Sequence, residues 1–479
     1  MYKLLIDGQL VDPGRSYPSE NPATGEIIDQ APDATMKEAE AAMASSRRAF
    51  DETDWSTNHA FRAKCLRQFA EGLERHKDEL RAMTIAEVGH TLANTYGPAL
   101  DAPLTLVPYY AELAENYEYT IDLGVGDSFG TMHHRWIEKE PAGVIAAIIA
   151  YNYPTQLALA KLAPALAAGC TVILKGAPQT PLTTLILGEI IANETDIPAG
   201  VVNIITSSEA EVSAVLCSDP RVDMITFTGS TPVGRAIMAA ASDTIKKCFL
   251  ELGGKSAMII LDDADLEIPA MAAAMGGTSH AGQGCAIPTR ILVHRSKEKE
   301  LTEKIAEQMR AVVVGDPTQL ETGMGPLISD AQREKVAGMV DRAIAEGAVA
   351  VTGGHKIDGP GYFYEPTLLS NVTNDMEIAQ DELFGPVLVI IPFDTDEEAI
   401  AIANDSIFGL SGSVWAGTQE RGLKVARAIR TGTIGVNGGS YYGCESPFGG
   451  YKQSGIGREM GVAGLEEFLE IKTLALPAG

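Results

Sequence analysis

The chain is short of cysteine pairs, of positive charge and of long apolar runs, and each shortage excludes something. Its six cysteines, Cys65, Cys170, Cys217, Cys248, Cys285 and Cys444, are too scattered to form a C-x-x-C metal or redox motif. Sparse, unpaired cysteine in a chain of 479 residues fits a reducing cytosol, and a cytoplasmic protein is expected. Lysine and arginine number 37 against 64 acidic residues, a net charge of −27. That field repels nucleic acid, so any bound phosphate needs a local site of its own. The longest apolar stretch, around Val144 to Ala150, is broken by Asn152 and Pro154 and is too short to span a membrane. Asp7 comes too early for a signal-peptide core. No G-x-G-x-x-G follows any expected strand, so an ordinary Rossmann fingerprint is missing. No metal site, low-complexity segment or short tandem repeat is read from the sequence.

What stands out is Cys285, in the run Gly282-Gln283-Gly284-Cys285, where small neighbours leave its sulfur approachable. Upstream is a carboxylate, Glu251, in Glu251-Leu252-Gly253-Gly254-Lys255. A thiol and a carboxylate, each in glycine-rich backbone, suggest covalent catalysis finished by a base. A Cys-His hydrolase with His280 as base is the rival from another class. His280 is five residues before Cys285 and no third orienting group is evident, so we read it as structural.

The chain should fold as two or three units. Thr35 to Phe50 reads as a helix with Thr35 as N-cap and Glu38 completing a capping box. Helical patterning resumes over His59 to His90 and Tyr109 to Tyr117. From Val144 an α/β rhythm begins. Strand 144–149 leads to helix 155–168, closed by Gly169; then come strand 171–174, helix 181–193, strand 201–205 and strand 224–227. Gly253-Gly254 interrupts it. A second α/β region then runs through strand 257–261, helix 268–276, strand 290–293, helix 297–309 and strands at 348–351, 387–391 and 433–436. The fold class is α/β, with parallel sheets.

Candidate ligand residues lie at the carboxyl ends of these strands, where open α/β sheets bind. Thr228-Gly229-Ser230-Thr231-Pro232 runs into a helix, and its free N–H groups suit an anion. Taken alone, it is equally a tight strand-to-helix turn. Lys175 can reach a phosphate or a ribose, or it is a solvated surface lysine. Asn152 can donate to a developing oxyanion, or it is a turn asparagine before Tyr153-Pro154.

In order along the chain, Tyr151-Asn152-Tyr153-Pro154, Lys175, Phe227-Thr228-Gly229-Ser230-Thr231, Glu251-Leu252-Gly253-Gly254-Lys255, Gly282-Gln283-Gly284-Cys285, Glu382-Leu383-Phe384-Gly385-Pro386-Val387, Asn437 and Pro447 to Gly455 resemble the NAD(P)-dependent aldehyde dehydrogenase superfamily. The resemblance runs from the N-terminal arm to Lys472. It implies an aldehyde-dehydrogenase-like fold: two open parallel-sheet α/β domains and a small β oligomerisation arm. Residues 1–122 and 141–252 would form the cofactor-binding domain, 253–460 the catalytic domain, and 123–140 with 461–479 the arm and tail. Residues Leu123 to Glu140 and Glu467 to Leu476 would join subunits in a homodimer or homotetramer.

The resemblance also assigns roles. Cys285 would attack the aldehyde as a thiolate, Asn152 would hold the oxyanion, and Glu251 would activate water to release a carboxylic acid. Relatives that pass the acyl group to coenzyme A lack this glutamate, so the hydrolytic type is implied. Lys175, Gly229, Ser230, Val233, Gln332, Glu382 and Phe384 would contact NAD or NADP. Where NAD-preferring relatives carry a glutamate three residues after the lysine, this chain has Pro178, so NADP is expected to be tolerated. By position Tyr153, Leu157, Tyr442 and Phe448 would line the substrate pocket and suit a hydrophobic aliphatic, terpenoid or aromatic aldehyde. A semialdehyde dehydrogenase of the same superfamily is the alternative, although no arginine pair awaits a carboxylate. An inactive structural homologue would have lost the nucleophile or the base, and both are present.

Overall fold

The structure, a computed structural model, describes residues 2–478; Met1 and Gly479, which the expected domains include, lie outside the described residues. Eight strands make the first sheet, in the order Gln9–Val11, Leu4–Ile6, Val202–Ile205, Thr171–Lys175, Val144–Ile148, Met224–Thr228, Lys247–Glu251 and Gly455–Ile456. From Val202–Ile205 to Lys247–Glu251 the strands run parallel. The edges differ from the expectation. An N-terminal hairpin joins one side antiparallel, and Gly455–Ile456 closes the other antiparallel to Lys247–Glu251.

The apolar run Val144–Ile148 is buried throughout, as a strand covered on both faces must be. Ile145 and Ala147 enter the core on one face; Val144, Ala146 and Ile148 enter the core on the other. The helix Pro154–Ala168 packs against it with every residue buried, and Gly169 ends it with a φ of +101°. The helix expected near Thr35 spans Met36–Glu52. The Thr35 hydroxyl accepts from the Lys37 N–H and the Glu38 carboxylate accepts from the Thr35 N–H, a capping box of order 1 kcal/mol.

The helical stretch expected over His59 to His90 breaks into His59–Arg75, Lys77–Met83 and a wider turn, Thr84–Val88. That turn carries Glu87 inward. Its carboxylate accepts from the Leu182 and Thr183 N–H groups at 2.7 and 2.8 Å and from the hydroxyls of Ser19 and Thr183. These are the first N–H groups of the helix Pro181–Glu194, where an anion is favoured.

The second sheet has seven strands, in the order Val349–Thr352, Thr367–Ser370, Val387–Phe393, Pro288–His294, Ser256–Ile260, Gly412–Trp415 and Gly435–Val436. All pair in parallel except Val349–Thr352, which runs antiparallel to Thr367–Ser370. A third, antiparallel sheet joins Leu469–Pro477, Thr131–Pro141 and Thr120–Ser128. The tail thus pairs within its own chain, Leu474 opposite Trp136. Among the described residues no helix is long and apolar enough to cross a membrane.

Candidate active site

A cavity of about 580 Å³ opens between the first two sheets, at the carboxyl ends of the strands Val144–Ile148, Met224–Thr228 and Lys247–Glu251. Cys285 lines it and is partly exposed there. The loop that carries it is pressed against the Gly253-Gly254 turn. A Cβ on Gly254 would come within 2.2 Å of the Cys285 carbonyl oxygen, so only glycine lets the two backbones meet. Burial first, then the carboxylates of Glu382, Glu251 and Glu459, push the Cys285 thiol well above its usual range. That direction favours the neutral thiol at rest, so attack as a thiolate calls for a proton acceptor or a nearby positive charge.

Asn152 lies on the same cavity, just before the helix Pro154–Ala168. Its side-chain amide donates to the Gln283 carbonyl at 3.0 Å, which uses one of its two amide protons and leaves the other. His90 fixes the backbone: its Nε2 donates to the Asn152 carbonyl at 2.8 Å, while the Asn94 amide donates to its Nδ1 at 3.1 Å. Burial lowers His90 to about 4, so it is neutral in this arrangement. His280 stacks on the His90 ring, with centroids 3.6 Å apart, and meets Tyr153 edge-on at 5.4 Å. Burial and His90 hold it well below its usual value, and among the described residues neither of its ring nitrogens has a hydrogen-bond partner.

Glu251 ends its strand behind the cavity wall rather than on it. Both carboxylate oxygens are buried and without a hydrogen-bond partner among the described residues. A Cβ at position 449 would stand 2.6 Å from one of them, so Gly449 gives the carboxylate its room. Burial, then Glu459, raises it well above the ordinary carboxylate range, and Lys161 and Arg458 pull the other way. Lys161 and Glu459 form an ion pair of 2.8 Å with side chains 0% and 3% exposed. Glu459, unlike Glu251, lines the cavity. Sequence reasoning missed this pair. A lysine in an otherwise apolar helix signals a hidden partner, but that partner lies 298 positions away.

The expected cofactor residues divide between two cavities. Gly229, Ser230, Gln332, Glu382 and Phe384 line the first. Lys175 and Val233 line a second, of about 410 Å³, with Pro178, Ser207 and Glu209. Between them the helix Thr231–Ala241 begins, with Ser230 at its N-cap and Pro232 in its first turn. Lys175 is buried and has no ion-pair partner among the described residues; burial lowers it to about 8. Glu382 accepts from the Gly254 N–H at 2.9 Å. Gln332 spends its amide donor on the Leu383 and Phe384 carbonyls at 2.9 and 2.8 Å, bracing a loop in which Phe384 adopts a φ of +60°. Phe384 meets Tyr151 edge-on, at 6.0 Å.

On the opposite side Tyr153, Leu157, Tyr442 and Phe448 all line the first cavity, joined by Gln156, Ile287 and Met460. The cavity thus brings together every expected catalytic and pocket residue except Glu251.

A family model described as the aldehyde dehydrogenase family matches residues 11–474. Among curated proteins, 3-succinoylsemialdehyde-pyridine dehydrogenase from a Pseudomonas species is 42% identical, over 98% of both chains. Among solved structures, Mycobacterium tuberculosis aldehyde dehydrogenase complexed with NAD+ superposes with a TM-score of 0.95 at 42% identity, covering 100% of this chain and 98% of that one. Betaine aldehyde dehydrogenase from Staphylococcus aureus in complex with NAD+ gives a TM-score of 0.96 at 36% identity, covering 100% and 95%.

Proposed function

The chain belongs to the aldehyde dehydrogenase family and is an oxidoreductase, and from that premise we propose that it oxidises an uncharged, hydrophobic aldehyde to the carboxylic acid with NAD or NADP. The observation that carries the reading is one cavity lined at once by Cys285, Asn152, Ser230, Glu382 and the apolar group Tyr153, Leu157 and Phe448.

The residues fit a dinucleotide. Lys175 is a buried cation in want of an anion or a hydroxyl, and the helix beginning at Thr231 presents its N-terminus between the two cavities. Gly229, Ser230 and Val233 would meet the phosphates, and Glu382 and Phe384 would hold the nicotinamide end, with Gln332 bracing their loop. A bound oxidised nicotinamide would supply a hydride acceptor and a positive charge. Glu209 lines the second cavity, its carboxylate 2.9 Å from Arg15, and supports NAD over NADP. Pro178 places no carboxylate there and supports tolerance of NADP.

A water in the cavity takes the Cys285 proton as the sulfur bonds to the aldehyde carbon, and the free amide proton of Asn152 and the Cys285 N–H hold the oxyanion. Loss of hydride from that carbon leaves a thioester on Cys285. Glu251 takes a proton from water, the water oxygen bonds to the acyl carbon, and the sulfur departs with a proton. A raised carboxylate pKa suits such a base near neutral pH. The first sheet with its helices serves as the cofactor-binding domain, the second as the catalytic domain, and the third sheet as the surface joining subunits of a cytoplasmic homodimer or homotetramer.

The relative named for a pyridine-bearing semialdehyde favours an aromatic substrate. Absorbance of reduced cofactor on adding an aldehyde panel tests the reading, with Cys285→Ala as control. Turnover of succinate semialdehyde far above that of octanal or benzaldehyde would reject the hydrophobic substrate.

A further inference from the structure

Gln156 is the polar side chain on the otherwise apolar side of the cavity that no catalytic role accounts for. The Tyr442 hydroxyl donates to its Oε1 at 2.5 Å. That contact fixes which way the amide faces, because it occupies the acceptor and leaves the donor. Its Nε2 has no partner among the described residues and is not sealed from open space. A half-used amide lining a substrate cavity is a donor held ready for a ligand.

The charges nearby define what that ligand is. The ammonium of Lys161, behind the wall, is taken up by Glu459, and Lys335, which lines the cavity, reaches the Glu382 carbonyl at the cofactor side. Near Tyr442 an anionic substrate would meet the charge of Glu459. Gln156 lies in the first turn of the helix Pro154–Ala168 and lines the same cavity as Asn152, which stands two residues before that helix.

We propose that Gln156, held by Tyr442, reads a neutral hydrogen-bond acceptor on the substrate, so that the preferred aldehydes carry a ketone or ring nitrogen a few bonds from the aldehyde carbon. The inference rests on the proposed oxidation of a hydrophobic aldehyde and narrows it to this class.

The probes are 4-oxo-4-phenylbutanal and 4-phenylbutanal, which differ only in the ketone. Wild-type kcat/KM should favour the ketone about tenfold, since only that substrate satisfies the buried amide. Gln156→Leu should bring the ratio down to about one, with Gln156→Met, unbranched like glutamine, as the second variant. A wild-type ratio near one, with both aldehydes oxidised, overturns this inference alone, as does a preference that survives both variants. If neither aldehyde is oxidised while propanal is, the reading of a large hydrophobic tunnel fails, and this inference falls with it.

Discussion

Lys161 and Glu459, sealed from solvent and 2.8 Å apart, hold between them the charge balance of a pocket that also contains Glu251. Each needs the other, because a buried charge left without its partner is strongly unfavourable.

Lys161→Met should therefore destabilise the fold by about 3–5 kcal/mol, read as a shift in the urea midpoint. It should also move the pH profile. Lys161 lowers the Glu251 pKa; without it Glu251 stays protonated to higher pH, so the acid limb of kcat moves upward. A stability loss with the limb unmoved would sever Lys161 from Glu251.

Glu251→Gln should separate the two halves of the reaction. Formation of the thioester does not need the carboxylate to hydrolyse it, so rapid mixing should show one equivalent of reduced cofactor per site, followed by slow turnover. The wild-type acid limb should lie above the ordinary carboxylate value of about 4.3, because burial and Glu459 both raise Glu251. Turnover that Glu251→Gln leaves unchanged would remove it as the base.

Asn152→Ala should lower kcat about 100- to 1,000-fold by removing an oxyanion donor. It also releases the Gln283 carbonyl next to the nucleophile's loop, so some loss of thermal stability should accompany it. A kcat that barely changes would assign Asn152 to the loop alone.

With both cofactors supplied, the NAD preference in kcat/KM should stay below about a thousandfold, and Glu209→Ala should narrow it further by removing a carboxylate from the second cavity. A preference untouched by Glu209→Ala would place the discrimination elsewhere.

Much of this architecture is written locally. Thr35 and Glu38 mark a helix start within four residues, Gly169 marks a helix end, and the all-apolar run at Val144 marks a strand covered on both faces. Strand Lys247–Glu251 was not legible, because a lysine opens it, a glutamate closes it and glycines follow. Gly455–Ile456 is two residues long and becomes a strand only because a sheet edge awaits it. Cys285 could be singled out from its glycine neighbours, whereas Asn152 took its role only from the family resemblance. Lys161, Glu459, His90 and Gln156 could not, since each takes its meaning from a residue distant in the chain.

The antiparallel strand Gly455–Ile456 gives the protein a built-in order of assembly. On the ribosome the nucleophile emerges long before this strand and Glu459, and at ~5–20 residues per second the gap is roughly ten to thirty seconds. Through that interval Lys161 lacks Glu459, its ion-pair partner, and the eighth strand of the first sheet is missing. A nascent chain, or one truncated before residue 455, carries its reactive thiol in an unfinished pocket. The pocket around Lys161 thus closes only once residues 455–459 have joined it.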